Sequence, residues 1–307
     1  MPAVCRKRGR LPIYSIIVPL YKEANMVKQM VRNLKALKYP QKALDVIFAI
    51  EADDSATLRA LKDQNLPSWM RIIIAPPGSP QTKPRACNVA LDQAVGSLIV
   101  IYDAEDRPHP DQLIEAANRF MAADDQLACL QAPLRILPGK GFWCRQFALE
   151  YAAHFETFLP ALAKVGSALP LGGTSNHLRV EALRQLGGWD PYNVTEDADL
   201  GFRLAGAGFR TEMLTLPTWE TPTARFSVWL PQRSRWLKGY MMTYAVHMRD
   251  PALLWAPEQQ VEHPGGKEHV HRQVVAGNDG ARHAGQFQQG HGTGQGAGLE
   301  HQYHFVA

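Results

Sequence analysis

Acidic side chains at the end of a short apolar run are the first feature of this sequence that could carry chemistry. Asp103, Glu105 and Asp106 directly follow residues 97–102, a run with the length and composition of a buried strand. Magnesium and manganese prefer oxygen ligands and are usually held by one or two protein carboxylates together with substrate phosphate. We therefore expect Mg²⁺ or Mn²⁺ at Asp103, with either Glu105 or Asp106 as the second ligand. The alternative is an acidic turn that favours the N-terminus of the helix after Pro110.

A second acidic group follows an earlier run of the same kind. Glu51, Asp53 and Asp54 come after residues 44–50. The alternative to a binding role is a helix N-cap, for which Asp53, Asp54 and Ser55 all have suitable side chains. Both roles can hold if Asp54 or Ser55 caps the helix while Glu51 and Asp53 face a ligand.

A third acidic group lies much later in the chain, at Thr195-Glu196-Asp197. The carboxylate of Asp197 could take a proton from a hydroxyl group as a new bond forms. The same residues could simply begin a helix over residues 198–205, because acidic side chains stabilise a helix N-terminus. These two roles are compatible, since a helix end can also position a base.

A basic and aromatic group completes the set. Gln232, Arg235 and Trp236 lie in residues 226–247, where apolar side chains recur at helical spacing. Arginine can bind a diphosphate through two parallel hydrogen bonds, and an indole ring can stack on a sugar. The alternative is ordinary packing on an amphipathic helix.

The elements before these clusters determine where they meet. Strand signals at residues 13–18, 44–50, 71–75 and 97–102 alternate with helix signals at residues 23–37, 55–66, 84–94 and 110–121. Such alternation predicts an α/β fold with a mostly parallel sheet flanked by helices. Ligands of these sheets bind at the carboxyl ends of the strands, so the groups at residues 51–54 and 103–106 should share one crevice. No glycine lies in residues 19–23 and no Walker motif occurs, which argues against dinucleotide and P-loop sites.

Taken in chain order, the motifs resemble the set found in family 2 glycosyltransferases. They are an acid after the second strand, the DxD-like Asp103-Ala104-Glu105, the TED segment 195–197 and the QxxRW segment 232–236. The likeness is to processive, cellulose-synthase-like bacterial members and covers residues 12–255. It implies a GT-A-like (Rossmann-like) fold and an inverting, metal-dependent hexosyl transfer. The donor would be a nucleotide-diphosphate sugar, expected to be UDP-linked, and the acceptor a growing β-linked polysaccharide.

The resemblance also implies a role for each candidate residue. Donor contacts are expected from Glu51, which would contact the uracil ring, and from Asp53, Lys83, Asn88, Asp103 and Arg235. The glycan acceptor is expected to contact Gly173, Thr174, Gln232 and Trp236. Asp197 is expected to be the catalytic base, with Glu196 beside it. Lys83 could instead be an exposed lysine before a proline-initiated helix, and His177 is expected to be a structural hydrogen-bonding residue.

Length, charge and cysteines narrow the class of protein. The chain has 307 residues, a formal net charge of +4 and four scattered cysteines without a CxxC pair. Reduced packing cysteines are therefore expected, without a disulfide framework or zinc site. The slight positive charge is concentrated partly at residues 6–10 and suits a solvated tail or a contact with anionic lipid. We expect no nucleic-acid partner.

The sequence also carries expectations about location. No apolar run approaches the roughly 18 to 20 residues needed to span a bilayer, and residues 1–30 lack the apolar core of a signal peptide. A cytoplasmic location is expected. Helices over residues 142–165 and 226–255 have the composition of interfacial helices, which suggests peripheral binding at the inner face of the plasma membrane or to a membrane partner. Core packing is the alternative for both segments.

The chain is expected to divide into four segments. Composition indicates a basic tail at residues 1–11 and a disordered tail at 256–307 rich in Gly, Gln and His. The resemblance implies a nucleotide-sugar-binding half at residues 12–125 and an acceptor half at 126–255. The last segment begins where the resembling family has its first transmembrane helix. We hypothesise that a truncated gene or a shifted reading frame produced it.

Two other functions remain open at this stage. One is a catalytically inactive fragment or a regulatory binding module. The other is a glycoside hydrolase with paired carboxylates, which would need neither the DxD-like strand end nor QxxRW.

Overall fold

The computed structural model describes residues 10–249, which form a mixed α/β domain. Its strands are β1 (Tyr14–Leu20), β2 (Leu44–Glu51), β3 (Met70–Ala75), β4 (Leu98–Ile101), β5 (Arg107–Pro108), β6 (Leu127–Gln131), β7 (Leu134–Ile136), β8 (Asn176–Arg179), β9 (Arg210–Met213) and β10 (Thr218–Glu220). Its α-helices are α1 (Val27–Lys35), α2 (Ser55–Lys62), α3 (Lys83–Gln93), α4 (Gln112–Ala122), α5 (Phe142–Ala152), α6 (Leu159–Lys164), α7 (Val180–Gln185), α8 (Glu196–Gly206) and α9 (Phe226–His247). A 3₁₀ turn, Gln41–Ala43, precedes β2, and a π-helical turn, Ala153–Phe158, joins α5 to α6.

Seven strands form the main sheet in the order β3-β2-β1-β4-β8-β6-β9. Strands β1 to β4 are parallel, whereas β8 runs antiparallel to both of its neighbours, β4 and β6. A smaller sheet has the order β5-β10-β7. The carboxyl ends of β2 and β4 therefore lie at the same edge of the main sheet, as the strand and helix pattern predicted.

Alternation along the strands builds a core on each face of the main sheet. Ile16 and Val18 of β1 face one apolar cluster, and Ile17 between them faces the other. Helices α1 and α4 cover the first face, and α3 and α8 cover the second. Because successive side chains of a strand point to opposite faces, an uninterrupted apolar run such as Ile16-Ile17-Val18 suits a strand covered on both sides.

The predicted fold is confirmed, and most predicted elements lie within a few residues of the observed ones. The bounds of β1, α1 and α2 differ most from the predicted ones, and α2 ends at Lys62, four residues before the predicted end. Strand β1 passes through Pro19 to Leu20, because β4 ends opposite Ile17 and no neighbour on that side needs the amide proton that proline lacks. Helix α1 begins at Val27, after a turn that includes Glu23.

Helix α9 lies beside α5 along an aromatic seam. Trp143 of α5 lies 4.8 Å from Phe226 and 5.1 Å from Trp229 between ring centroids. Several apolar side chains of these helices are nevertheless exposed, including Phe142, Leu149, Leu237, Met241 and Tyr244. Within residues 10–249, no helix combines the length and hydropathy needed to cross a membrane.

The expectations for the N-terminal tail up to residue 9 and for residues 256–307 lie outside the described residues. The disorder of the later segment, and the hypothesis of a truncated or frame-shifted gene, therefore remain predictions.

Candidate functional site

The acidic turn after β4 is closed by its own last carboxylate. The backbone N–H of Asp103 donates to Oδ2 of Asp106 at 2.8 Å, and the hydroxyl of Thr174 donates to the same oxygen. Asp106 is buried, and burial together with the charges of Asp103 and Glu220 raises its pKa well above the usual range. Asp106 therefore fixes the shape of the turn that carries Asp103 and Glu105.

Lys83, the first residue of α3, connects this turn to the glycine-rich segment before β8. Its Nζ lies 2.7 Å from Oδ1 of Asp103 and donates to the carbonyl oxygen of Gly173 at 2.7 Å. Burial alone would lower the pKa of Lys83, but the charges of Asp103, Asp197 and Glu196 raise it well above its ordinary value. The ammonium group thus contacts Asp103 and lies within the electrostatic influence of Glu196 and Asp197.

Glu196 and Asp197 lie in the first turn of α8 and are both buried. Burial raises the pKa of both carboxyl groups, and the nearby Lys83 ammonium opposes the rise. Asn176 donates to Oδ1 of Asp197 at 3.5 Å, and a Cβ atom built on Gly173 would lie 3.8 Å from Oδ2. The base candidate therefore borders the glycine turn that was expected to admit the acceptor.

The acidic residues at the carboxyl end of β2 make different contacts. Asp54 caps α2, since it accepts from the backbone N–H of Thr57 at 3.1 Å and of Lys22 at 2.5 Å. Glu51 is buried and pairs with Arg85 at 3.2 Å, while its Oε1 has no hydrogen-bond partner among the described residues. Asp53 accepts from Gln81 at 2.7 Å and from the hydroxyl of Tyr21 at 3.2 Å. The capping alternative is correct for Asp54, and Glu51 keeps an oxygen that a ligand could use.

Helix α9 brings Arg235 of the QxxRW segment near the same crevice. Arg235 is half-buried; burial lowers its pKa, and the charges of Glu196 and Asp103 oppose that shift. Trp236 packs against the core of α3 and α8, with its ring centroid 6.5 Å from that of Tyr151. Gln232 is buried. Arg235 is therefore the basic residue of α9 that acts electrostatically on both the DxD-like turn and α8.

The crevice suits a hard divalent cation. Oδ2 of Asp103 is buried and has no hydrogen-bond partner within residues 10–249, and Glu105 adds a second carboxylate in the same turn. The described residues contain no cluster of three or more His, Cys, Asp or Glu side chains arranged to hold a metal ion. A site with one or two protein carboxylates, completed by phosphate oxygens, is the usual arrangement for magnesium.

Comparison with known proteins identifies the family. The family model described as glycosyltransferase like family 2 matches residues 12–239. The chain belongs to this family.

Individual relatives of this glycosyltransferase are distant. It is 23% identical over 233 residues to the probable glycosyltransferase YdaM of Bacillus subtilis, covering 75% of this chain and 55% of the relative. It is 27% identical to a beta-monoglucosyldiacylglycerol synthase of Trichormus variabilis, covering 77% and 51%, and 24% identical to the cellulose synthase 1 catalytic subunit [UDP-forming] of Komagataeibacter xylinus, covering 76% and 32%. The chain thus spans about half the length of the first two relatives and a third of the other.

A solved structure supports the same fold. The mannosyltransferase PcManGT of Pyrobaculum calidifontis, determined in complex with GDP-Man and Mn²⁺, superposes with a TM-score of 0.63 at 21% sequence identity. The superposition covers 81% of this chain and 67% of that one. The GT-A fold of this glycosyltransferase is therefore shown independently of its motifs.

Three of the predicted site residues have hydrogen-bond partners within the domain. Asn88 donates to the carbonyl oxygen of Trp189 at 2.7 Å and accepts from its N–H at 2.9 Å, so it holds a backbone segment in place. Thr174 is buried and its hydroxyl donates to Asp106. Asp106 also accepts from the backbone N–H of Asp103. The donor contact of Asn88, the acceptor contact of Thr174 and the choice between Glu105 and Asp106 as the second metal ligand stay predictions.

Two carboxylates near the crevice were missed. Burial raises the pKa of Glu23 to about 8 and that of Glu220 to about 8, with the charge of Asp103 adding to both shifts. Glu220 ends β10, and the nearby Tyr151 hydroxyl opposes the rise of its pKa. A signal existed for Glu220, since it ends a short β-prone segment just as Glu51 ends β2.

Proposed function

We propose that this chain is the catalytic domain of an inverting, metal-dependent hexosyltransferase that uses a nucleotide-diphosphate sugar. The observation that carries the proposal is the convergence on Lys83 of the DxD-like turn, the glycine turn and the first turn of α8. Residues 12–125 would bind the donor and residues 126–255 the acceptor. The UDP-forming cellulose synthase relative supports a UDP-linked donor.

The donor would lie along the carboxyl ends of β2 and β4. Glu51 would accept a hydrogen bond from the N–H of the base, and Asp53 would lie beside it. Asp103 and Glu105 would hold Mg²⁺ or Mn²⁺, which neutralises charge on the leaving diphosphate. Arg235 would donate charge-assisted hydrogen bonds to the same diphosphate.

The chemical step would be a single displacement. The acceptor hydroxyl oxygen forms a bond to the anomeric carbon, the bond from that carbon to the diphosphate oxygen breaks, and the hydroxyl proton passes to Asp197. Attack opposite the leaving group inverts the anomeric centre, which gives a β-linked product from an α-linked donor. Glu196 would support the basicity of Asp197 through its neighbouring charge, and Gly173, Gln232 and Trp236 would line the acceptor side.

Two acceptors are compatible with the relatives. A growing β-linked polysaccharide is supported by the cellulose synthase relative, and a glycolipid by the beta-monoglucosyldiacylglycerol synthase relative. The exposed apolar side chains on α5 and α9 favour an acceptor presented at a membrane surface or by a membrane partner. A catalytically inactive domain would bind the donor without turnover.

The experiment is a thermal-shift screen of the full chain with UDP-glucose, UDP-N-acetylglucosamine and GDP-mannose, each with and without Mn²⁺. A true donor raises the melting temperature by mass action, and we expect that rise to require the metal. Asp103→Asn should abolish the metal-dependent part, because an amide is a poorer ligand for a hard cation. Equal shifts in Asp103→Asn would remove Asp103 from the site, and no shift with any donor would contradict the proposed function.

A further inference from the structure

Lys83 lies where a metal ion would have to bind. Its ammonium group is 2.7 Å from Oδ1 of Asp103, the carboxylate we assign to the metal. The Lys83 side chain is 16% exposed and that of Asp103 11% exposed, so this ion pair is largely shielded from water. An ammonium at this distance and a divalent cation compete for the same carboxylate.

The surroundings explain why the crevice needs an internal cation. Asp103, Glu196 and Asp197 all act electrostatically on Lys83, and an uncompensated buried carboxylate is strongly destabilising. Lys83 also donates to the carbonyl oxygen of Gly173. Without a metal ion, Lys83 thus offsets the negative charge of the crevice and holds the glycine turn.

A diphosphate would offer the same ammonium a different partner. Lysine carries a compact charge on a flexible four-carbon stem, and it binds phosphate groups as a point charge. Rotation of that stem moves the ammonium without any change in the backbone. Once the ammonium leaves, Asp103 is open to a divalent cation whose remaining ligands the phosphate oxygens supply.

We propose that Lys83 is a built-in counter-ion that pairs with Asp103 and weakens metal binding there, so that the divalent cation binds together with the nucleotide diphosphate and not before it. This inference rests on the proposed function, because it needs Asp103 to be a metal ligand. It assigns Lys83 a second role beyond contact with the donor. The ion pair between Lys83 and Asp103 then breaks when the nucleotide diphosphate binds.

The test is a titration of the full chain with Mn²⁺ alone, followed by electron paramagnetic resonance of the free ion and by calorimetry. Lys83→Met removes the charge but keeps the length of the side chain, and Lys83→Arg keeps the charge. An opposite charge within a few ångströms changes the affinity of a carboxylate for a proton by about 10- to 1000-fold. We therefore expect Lys83→Met to bind Mn²⁺ at least about tenfold more tightly than the wild type, and Lys83→Arg to remain as weak as the wild type.

Matched controls separate this effect from others. Lys38→Met removes a lysine whose ion pair with Asp111 is exposed, and it should leave Mn²⁺ binding unchanged. In Lys83→Met combined with Asp103→Asn the gained affinity should disappear, while any Mn²⁺ bound elsewhere on the chain is unaffected. Unchanged or weaker Mn²⁺ binding by folded Lys83→Met overturns the inference.

A measurement on the wild type keeps the inference testable if Lys83→Met does not fold. Addition of UDP or GDP should tighten Mn²⁺ binding, and by linkage Mn²⁺ should tighten nucleotide binding by the same factor. Independent binding of the two would overturn the inference. Nucleotide binding that requires Mn²⁺ supports the proposed function separately, so that the failure of one idea is distinguishable from the failure of the other.

Discussion

Gly239 of α9 lies directly against Thr195, the residue that precedes the first turn of α8. A Cβ atom built on Gly239 would lie 2.4 Å from Cγ2 of Thr195 and 2.7 Å from its Oγ1. One turn further along α9, Thr243 accepts a hydrogen bond from Asn193 at 3.0 Å, and one turn beyond that His247 lies 2.9 Å from Asp199. The face of α9 that continues from the QxxRW segment is therefore fitted against the loop and helix that carry Glu196 and Asp197.

This fit predicts that Gly239→Ala separates Arg235 and Trp236 from the acids of α8. The new methyl group must displace α9 or the loop, and overpacking of this kind costs about 1–3 kcal/mol. We expect a lower melting temperature and a lower rate of sugar transfer. Gly206→Ala is the matched control, because no atom lies within 4 Å of the added Cβ. Equal effects of the two substitutions would show that the close approach at Gly239 is unimportant.

A second prediction concerns the hydroxyl of Thr174, which donates to Asp106 and so stabilises the acidic turn at residues 103–106. Thr174→Val keeps the shape of the side chain but removes one of the two donors to Oδ2 of Asp106, and loss of a buried hydrogen bond costs about 1–3 kcal/mol. We expect weaker Mn²⁺-dependent nucleotide binding, measured by calorimetry, besides the loss of stability. Thr215→Val also removes a hydroxyl bonded to a carboxylate, that of Glu115 at 2.7 Å, but outside the crevice. Nucleotide affinity should be normal in this control, and normal affinity in Thr174→Val would contradict the prediction.

A third prediction follows from the buried carboxyl group of Glu220. Burial raises its pKa from 4.5 to about 8, so its contribution to stability is complete below pH 4.5 and is lost as the pH rises through about 8. Glu220→Gln imitates the protonated form and should remove this dependence. Between pH 5 and pH 8, the free energy of unfolding of the wild type should fall relative to the variant, by at most about 1.4 kcal/mol per pH unit.

The measurement is urea unfolding at several pH values with a chelator present, so that no metal ion binds the crevice. Glu181→Gln, at an exposed position, is the control and should follow the wild type. Parallel pH profiles for the wild type and Glu220→Gln would show that Glu220 is not protonated in the folded domain at neutral pH.

Much of the acidic crevice could be predicted because its geometry is local. Glu51 ends β2 and Asp103 lies two residues after β4, and the rule that the carboxyl ends of parallel strands share one edge places them at the same edge without any side-chain detail. Helix α8 lies within two residues of the helix over 198–205 that its acidic N-terminus favoured, and α9 begins at Phe226 as predicted. The uninterrupted apolar run that identifies β1 also explains why the sheet is covered on both faces.

The side-chain contacts that could not be predicted join residues that are remote in sequence. Thr174 bonds to Asp106 across 68 positions and Asn88 to Trp189 across 101. The hydroxyl of a threonine after two glycines can bond to a ligand or to a buried carboxylate. The contact with Asp106 becomes visible only in the folded domain. Glu220 was missed for a related reason, since its strand belongs to the small sheet, and the residues that raise its pKa come from elsewhere in the chain.

The last prediction separates catalysis from binding. If Asp197 is the base, Asp197→Asn should keep nearly normal donor affinity, because the side chain would contact the acceptor hydroxyl and not the diphosphate. Transfer should fall by what a positioned base supplies, about 100- to 10,000-fold. Arg235→Ala should also weaken nucleotide binding, because it removes a charge-assisted contact to the leaving group.

The two variants can be compared with a donor from the thermal-shift screen, a calorimetric measurement of nucleotide affinity and a coupled assay for released nucleotide. Asp190→Asn is the control for a lost carboxylate in the exposed loop just before α8, and it should transfer sugar at the normal rate. A raised pKa makes Asp197 a stronger base only while it stays deprotonated, and the Lys83 ammonium favours that form. Full turnover in Asp197→Asn, or an unfolded domain, would mean that Asp197 serves the first turn of α8 and that another group takes the proton.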